Sequence, residues 1–299
     1  MVDLSVDIAG VKLKNPVTTA SGTFASGKEY ADFVDLNKLG AITVKGVSIT
    51  PWQGNPPPRI AETYGGLLNS VGLQNPGVEA FIKEDLPFLK QFDTKIIVNI
   101  CGHTEEEYAE AAQRLSTEAV DLLELNISCP NLKKGGIAFG QNPKMAHAVV
   151  REVKKYAKQP LIVKLSPNVT DITEIAKAAE DAGADALSLI NTILGMQIDI
   201  NRRRPVLYNV TGGLSGPAVK PVAVRMVYQT ARCVKIPIIG MGGICSGGDA
   251  VEFLLAGATA VAVGSANFAN PNATTDVLNG ICEYMQKNSI AKLSDIKLA

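Results

Sequence analysis

Residues 161–190, LIVKLSPNVTDITEIAKAAEDAGADALSLI, hold two short apolar runs separated by an amphipathic segment. The runs Leu161–Leu165 and Ala186–Ile190 are almost continuously apolar, which is typical of strands covered on both faces. Between them, Asp171 to Ala182 places apolar residues at every third or fourth position, and Gly183 is a common way to end a helix. This stretch therefore predicts a strand–helix–strand unit.

The same alternation continues in both directions along the chain. Six further apolar runs are predicted to be strands: Val17–Ala20, Ala41–Lys45, Lys95–Ile100, Leu122–Ile127, Pro237–Gly240 and Thr259–Val263. About eight strand–helix units favour an α/β fold of the closed (β/α)₈ TIM-barrel type over an open doubly wound sheet. No low-complexity linker interrupts the pattern, so we expect residues 1–299 to form a single domain.

Three segments lie outside this repeat. Leu4–Leu13 predicts an N-terminal hairpin that turns at Gly10 and is a candidate plug for the bottom of the barrel. Gly46–Gly77 and Gly195–Gly216 are predicted to be insertions after strands two and six.

Composition excludes several classes of function. The 29 basic and 29 acidic residues balance, which argues against nucleic acid or an anionic membrane as partner. The densest basic run, Arg202–Arg204, is more typical of a solvated loop than of a binding patch.

We find neither a signal peptide nor a membrane span and expect a cytoplasmic protein. The five cysteines form no C-x-x-C pair, so neither a zinc site nor an iron–sulfur cluster is predicted.

Polar residues gather where the predicted strands end, which is where such barrels carry their catalytic groups. One polar residue in an apolar strand is usually a core group with its hydrogen bonds satisfied. Five such residues at the same end of different strands predict a site: Lys45, Lys164, Asn99, Asn126 and Asn191. Amides and cations suit a planar anionic ligand rather than a metal. The glycines after strands seven and eight favour a phosphate on that ligand.

Six motifs along the chain resemble those of the dihydroorotate dehydrogenases. They are Ala20–Gly22, Asn69–Gly77 (NSVGLQNPG), Asn126–Asn131 (NISCPN), Lys164–Asn168 (KLSPN), Thr211–Gly216 (TGGLSG) and Ile239–Gly243 (IGMGG). The resemblance covers essentially the whole chain. It implies a barrel that holds FMN at its mouth, with dihydroorotate against the flavin ring.

The resemblance also assigns residues to these ligands. It implies that Cys129 is the catalytic base and that Asn131 is a further candidate for the substrate site. The residues implied for FMN are Ser21, Lys45, Gly46, Asn99, Asn126, Lys164, Ile190, Gly216, Gly242, Gly243, Gly264 and Ser265. Those implied for the substrate are Lys45, Asn69, Ser70, Val71, Gly72, Leu73, Asn126, Asn191 and Thr192.

Members of this family differ in the final electron acceptor. Cysteine as base and the lack of an extra N-terminal segment depart from the quinone-linked class. Gly72–Gly77 and Gly135–Gly140 resemble the NAD-linked class, which implies a partner subunit carrying FAD and a 2Fe–2S cluster in a heterotetramer of two plus two subunits. A fumarate-linked homodimer, a related pyrimidine reductase and a non-catalytic phosphate-binding barrel remain alternatives.

A few residues are left with two interpretations. Lys133–Gly136 is either a mobile lid or a solvated loop, and Trp52 is either a partner anchor or ordinary packing. Lys164 either faces the flavin or forms an ion pair inside the barrel. We expect His103 and His147 not to be bases, and the four cysteines other than Cys129 to be buried and structural.

Overall fold

A computed structural model describes residues 2–128 and 136–298, and its centre is a closed barrel of eight parallel strands. These strands are β1 (Val17–Thr19), β2 (Ala41–Thr43), β3 (Lys95–Ile100), β4 (Leu122–Asn126), β5 (Leu161–Lys164), β6 (Ala186–Leu189), β7 (Ile238–Met241) and β8 (Ala260–Val263). All eight predicted strands are present, with ends shifted by two residues at most. The predicted TIM barrel is confirmed.

Helices surround the barrel and mostly alternate with its strands. The α-helices are Val78–Ala80, Leu86–Leu89, Glu105–Leu115, Gly136–Gln141, Pro143–Lys154, Ile172–Asp181, Lys220–Ala231, Gly247–Leu255, Ala266–Ala269 and Ala273–Lys287, and a π-helical turn, Phe81–Asp85, joins the first two. Short 3₁₀ turns occur at Lys28–Tyr30, Leu36–Lys38, Pro217–Val219 and Leu293–Asp295.

Local capping explains where several helices begin. The side chains of Thr104, Asn142 and Asp171 each accept a hydrogen bond from a backbone N–H of the first turn. Such caps satisfy donors that otherwise lack a partner within the helix. The prediction of a helix-like segment after every strand was wrong in one place. Residues 20–40, all of which the structure describes, contain only the first two 3₁₀ turns between β1 and β2.

The predicted N-terminal hairpin is confirmed as strands Val6–Ile8 and Val11–Leu13. Its turn residues, Ala9 and Gly10, have φ of 55° and 86°, as the favoured two-residue hairpin turn requires. Ile8 and Leu13 are fully buried in an apolar cluster with residues from inside the barrel, including the first residues of several strands. The hairpin therefore plugs the N-terminal end of the barrel.

The two predicted insertions combine into one antiparallel sheet of four strands. Its order is Ile193–Met196, Thr211–Ser215, Gly66–Asn69 and Ile60–Thr63, and Asn69 pairs with Gly213. A further short pair, Ile198–Asp199 with Arg204–Pro205, extends from it. Gly213 allows a close approach to the chain that follows β6, since a Cβ there would lie 1.9 Å from Thr192 Oγ1. This four-stranded sheet stands beside the C-terminal end of the barrel.

No helix within residues 2–128 and 136–298 is long and apolar enough to cross a bilayer.

Candidate active site

A cavity opens at the C-terminal ends of the barrel strands. Asn126, Lys164, Ile190 and Met241 come from the barrel, while Leu67 and Leu214 come from the four-stranded sheet. The space between the lining residues is about 1140 Å³, including the part open to solvent. A mostly apolar hollow with a few converging polar groups is the usual form of a small-molecule site.

Lys164 is the buried cation of this cavity. The residue is only 4% exposed, and its Nζ lies 3.3 Å from Ser21 Oγ and 3.9 Å from a carboxylate oxygen of Glu124. Glu124, on the neighbouring strand β4, is 2% exposed. Buried charges are tolerated when they are paired and hydrogen-bonded. The ion-pair interpretation of Lys164 is therefore confirmed, and the residue also lines the cavity.

The Glu124 carboxylate accepts a hydrogen bond on each oxygen. Ser188 Oγ donates to one oxygen at 2.7 Å, and Asn99 Nδ2 donates to the other at 2.5 Å. Asn99 Oδ1 in turn accepts from Asn126 Nδ2 at 3.2 Å. Because a carboxylate only accepts, the amide nitrogen of Asn99 must face Glu124 and its oxygen must face Asn126.

The same network continues to the residues that follow β4 and β6. Asn126 Oδ1 accepts from the backbone N–H and the hydroxyl of Ser128, at 3.2 and 3.0 Å. Ser128 Oγ accepts from Asn191 Nδ2 at 2.8 Å. Every donor in this hydrogen-bonded series therefore points toward Glu124. Asn126, in the middle of the series, and Asn191, at its outer end, both line the cavity.

Glycine loops form the opposite side of the cavity. Gly216, Gly242 and Gly243 have φ of 103°, 126° and 78°, values that L side chains rarely adopt. A Cβ on Gly243 would lie 2.7 Å from the Gly216 carbonyl oxygen, so these two loops pack backbone against backbone. Main chain exposed in this way suits an anionic group such as a phosphate.

Comparison with known proteins places the chain in a family. The family model described as dihydroorotate dehydrogenase matches residues 3–285. The chain belongs to the dihydroorotate dehydrogenase family. The catalytic subunit of dihydroorotate dehydrogenase B (NAD⁺) from Lachnoclostridium phytofermentans is 68% identical over 295 residues, covering 99% of this chain and 98% of that protein.

Two further matches agree with this membership. The corresponding catalytic subunit from Alkaliphilus metalliredigens is 66% identical and covers 99% of this chain and 98% of its own length. A crystal structure of the Eimeria tenella dihydroorotate dehydrogenase in complex with ferulenol superposes with a TM-score of 0.81, at 24% identity, over 98% of this chain and 87% of that one. At that identity the structural match supports the fold alone.

The structure gathers most of the predicted dihydroorotate dehydrogenase site residues at one cavity. Those that line it are Ser21, Lys45, Asn69, Val71, Gly72, Leu73, Asn126, Lys164, Ile190, Asn191, Thr192, Gly216, Gly242, Gly243, Gly264 and Ser265. Gly46, Asn99 and Ser70 do not line it. Asn99 is fully buried one layer below, between Glu124 and Asn126. Cys129, Asn131 and most of the Lys133–Gly136 segment lie outside the described residues.

Sequence reasoning missed Glu124. Its signal is a single acidic residue inside the apolar run Leu122–Ile127, which is as unusual there as the lysines and asparagines at the strand ends that predict the site. Sequence reasoning also missed apolar residues that line the cavity, among them Met241, Leu214, Val219 and Phe268.

The remaining thiols and aromatic residues have other environments. Cys101 is buried as expected, but Cys233 and Cys282 are only partly buried and Cys245 is exposed, contrary to expectation. Desolvation raises the pKa of Cys233, Cys245 and Cys282, so a smaller fraction of each thiol is ionised at neutral pH than in an ordinary cysteine. Trp52 stacks on the His103 ring with centroids 4.1 Å apart, and it packs against the core. The structure therefore favours ordinary packing for Trp52.

Proposed function

We propose that this chain oxidises dihydroorotate to orotate in pyrimidine biosynthesis, using FMN bound at the mouth of the barrel. Family membership and the names of its relatives support this assignment. The observation that carries it is the meeting of the buried Lys164, the amides of Asn126 and Asn191, and the glycine loops around one cavity.

The residues present fit FMN. Gly242, Gly243, Gly264 and Ser265 would hold the phosphate, because all four line the cavity and the three glycines have no side chain to keep a phosphate from the backbone. Lys164 would hold the polar edge of the ring system, where a fixed cation stabilises negative charge in a site that excludes water. FMN supplies a hydride acceptor when it is bound. Asn99, which lies below the cavity floor, would act on this site through Asn126.

The substrate residues suit a cyclic ureide that bears a carboxylate. Asn69, Asn191 and Thr192 present both donors and acceptors, and Lys45 supplies a positive charge. Cys129 would take the proton from the substrate, and the chain reaches it directly after Ser128, whose hydroxyl contacts Asn126 and Asn191. A cysteine acts as a base only as thiolate, so activity should rise with pH until Cys129 ionises.

The NAD-linked class is the form of this function that we propose. The relatives are named catalytic subunits, which supports a separate electron-transfer subunit. In this proposal the partner carries FAD and a 2Fe–2S cluster, and two copies of each subunit form a heterotetramer. Co-purification from the native source tests this: an iron-containing companion is expected, whereas a lone homodimer that reduces fumarate would overturn it.

Anaerobic addition of dihydroorotate to the purified yellow protein tests the proposed reaction. The flavin absorbance should bleach, and Cys129→Ala should keep the colour but slow bleaching by orders of magnitude. Cys245→Ala is the matched control and should bleach at the wild-type rate. A flavin that dihydroorotate fails to reduce would favour a non-catalytic barrel, and reduction by another pyrimidine alone would favour a related reductase.

A further inference from the structure

Glu124 is a buried carboxylate that the proposed chemistry does not use. It lies below the cavity and does not line it, yet both of its oxygens accept hydrogen bonds and Lys164 Nζ is 3.9 Å away. Burying a charge in the middle of a barrel is costly. Something other than simple filling of space therefore accounts for a carboxylate at this position.

The direction of the hydrogen bonds shows what the carboxylate does. An asparagine amide fits its pocket almost equally well in two orientations, and its hydrogen-bond partners select one of them. Glu124 can only accept, so it holds the Asn99 nitrogen toward itself and the Asn99 oxygen toward Asn126. Asn126 must then present its nitrogen to Asn99, and the Ser128 backbone N–H fixes the Asn126 oxygen from the other side.

We propose that Glu124 is a positioning residue that fixes the Asn126 amide through Asn99, so that Asn126 offers an N–H donor to the ligand in the cavity. With one N–H on Asn99 and the oxygen occupied by Ser128, the polar group that Asn126 has left for the cavity, among the contacts within residues 2–128 and 136–298, is its second N–H. This donor selects a carbonyl or anionic oxygen on the ligand. The inference rests on the proposed function for the identity of that ligand.

A double-mutant cycle between Glu124→Gln and Asn99→Leu tests this relay, which runs from Glu124 through Asn99 to Asn126. Glutamine keeps the size of Glu124 but can turn either its oxygen or its nitrogen toward Asn99, and leucine keeps the size of Asn99 but breaks the relay. The holoprotein is titrated with orotate, and the dissociation constant is read from the change in flavin absorbance. Each single variant should weaken orotate binding about tenfold. The double variant should also be weakened only about tenfold, because both changes interrupt one path.

Multiplication of the two effects, to about a hundredfold, would overturn the relay and would mean that Glu124 acts through Lys164 alone. Ser188→Ala is the matched control, since it removes the other hydrogen bond to Glu124 without touching Asn99, and it should change the orotate constant less than about twofold. A control that weakens binding as strongly as Glu124→Gln would reduce Glu124 to a structural role.

Two additions keep the test decisive. If Glu124→Gln does not fold, a double-mutant cycle between Asn99→Leu and Asn126→Ala replaces it. A double variant that binds orotate more weakly than Asn126→Ala alone would overturn the relay. The same cycles are read on the dissociation constant of FMN by fluorescence. Failure of the wild-type holoprotein to bind orotate would overturn the proposed function, while the FMN constants would still decide the relay.

Discussion

Replacing Lys164 with methionine should destabilise the flavin-free protein, and adding Glu124→Gln should restore most of the lost stability. The two side chains are 5% and 2% exposed, and their charged atoms are 3.9 Å apart. At an effective dielectric constant of about 20, that separation corresponds to an attraction of about 4 kcal/mol. Removing one member of a buried pair leaves the other charge uncompensated, which typically costs about 3–5 kcal/mol.

Thermal unfolding followed by circular dichroism measures this loss. A change of about 4 kcal/mol should lower the Tm by about 6 °C, because a chain of 299 residues has an unfolding entropy of about 0.6 kcal/mol/K. The double variant Lys164→Met/Glu124→Gln has no buried charge at the pair and should unfold within about 2 °C of wild type. FMN binding, measured by fluorescence titration, should be weak in both variants because the cation that we propose to face the ligand is missing.

The pattern of the two measurements decides the argument. Recovery of stability without recovery of FMN binding is expected, since the ion pair supports the fold and the ammonium supports the ligand. A double variant that unfolds at or below the Tm of Lys164→Met would refute the electrostatic account of this pair.

Three more outcomes follow from the structure. At pH ~7.5, iodoacetamide should inactivate the enzyme first through Cys129 and orotate should protect it, because Cys101 is buried and the pKa of Cys233, Cys245 and Cys282 is raised by desolvation. Peptide mapping that finds another cysteine alkylated first would contradict this. Gly213→Ala should weaken orotate binding more than tenfold in the titration above, because its new methyl would lie 1.9 Å from Thr192 Oγ1. Gly248→Ala, with nothing nearer than 3.7 Å, should leave orotate binding unchanged. Leu13→Ala should cost about 2–5 kcal/mol in urea unfolding with little effect on FMN affinity, as this side chain is fully buried at the far end of the barrel; weakened FMN binding would show that the plug also shapes the mouth.

The barrel was predictable because its strands are covered on both faces. Runs such as Leu161–Leu165 and Lys95–Ile100 stand out from the sequence without knowledge of their neighbours. Several other predicted strands end one or two residues early, so a predicted end such as Lys45 lies in the loop that reaches the cavity. The polar residues at the ends of the predicted strands therefore located the site even where the predicted strand bounds were inexact.

Contacts between distant segments were not predictable. Nothing near Asn69 in the sequence indicates that it pairs with Gly213, because the register of such a pair is set only when the barrel brings both insertions together. Glu124 was missed for a similar reason: its meaning depends on Lys164 and Asn99, which lie on the two neighbouring strands. The resemblance assigns Asn99 to the flavin; the structure shows Asn99 buried between Glu124 and Asn126, and the assignment stays a prediction.

The four-stranded sheet has a consequence for how this enzyme can be re-engineered or can diverge. Its strands come from two parts of the chain, yet Leu67 and Leu214 line one wall, so neither part can be exchanged alone without losing its hydrogen-bonding partner. A chimera that takes only one of the two insertions from a distant homologue would mismatch the pairing between Gly66–Asn69 and Thr211–Ser215. Taking both insertions together should preserve this pairing. A change of substrate preference through this wall therefore requires that both insertions change together.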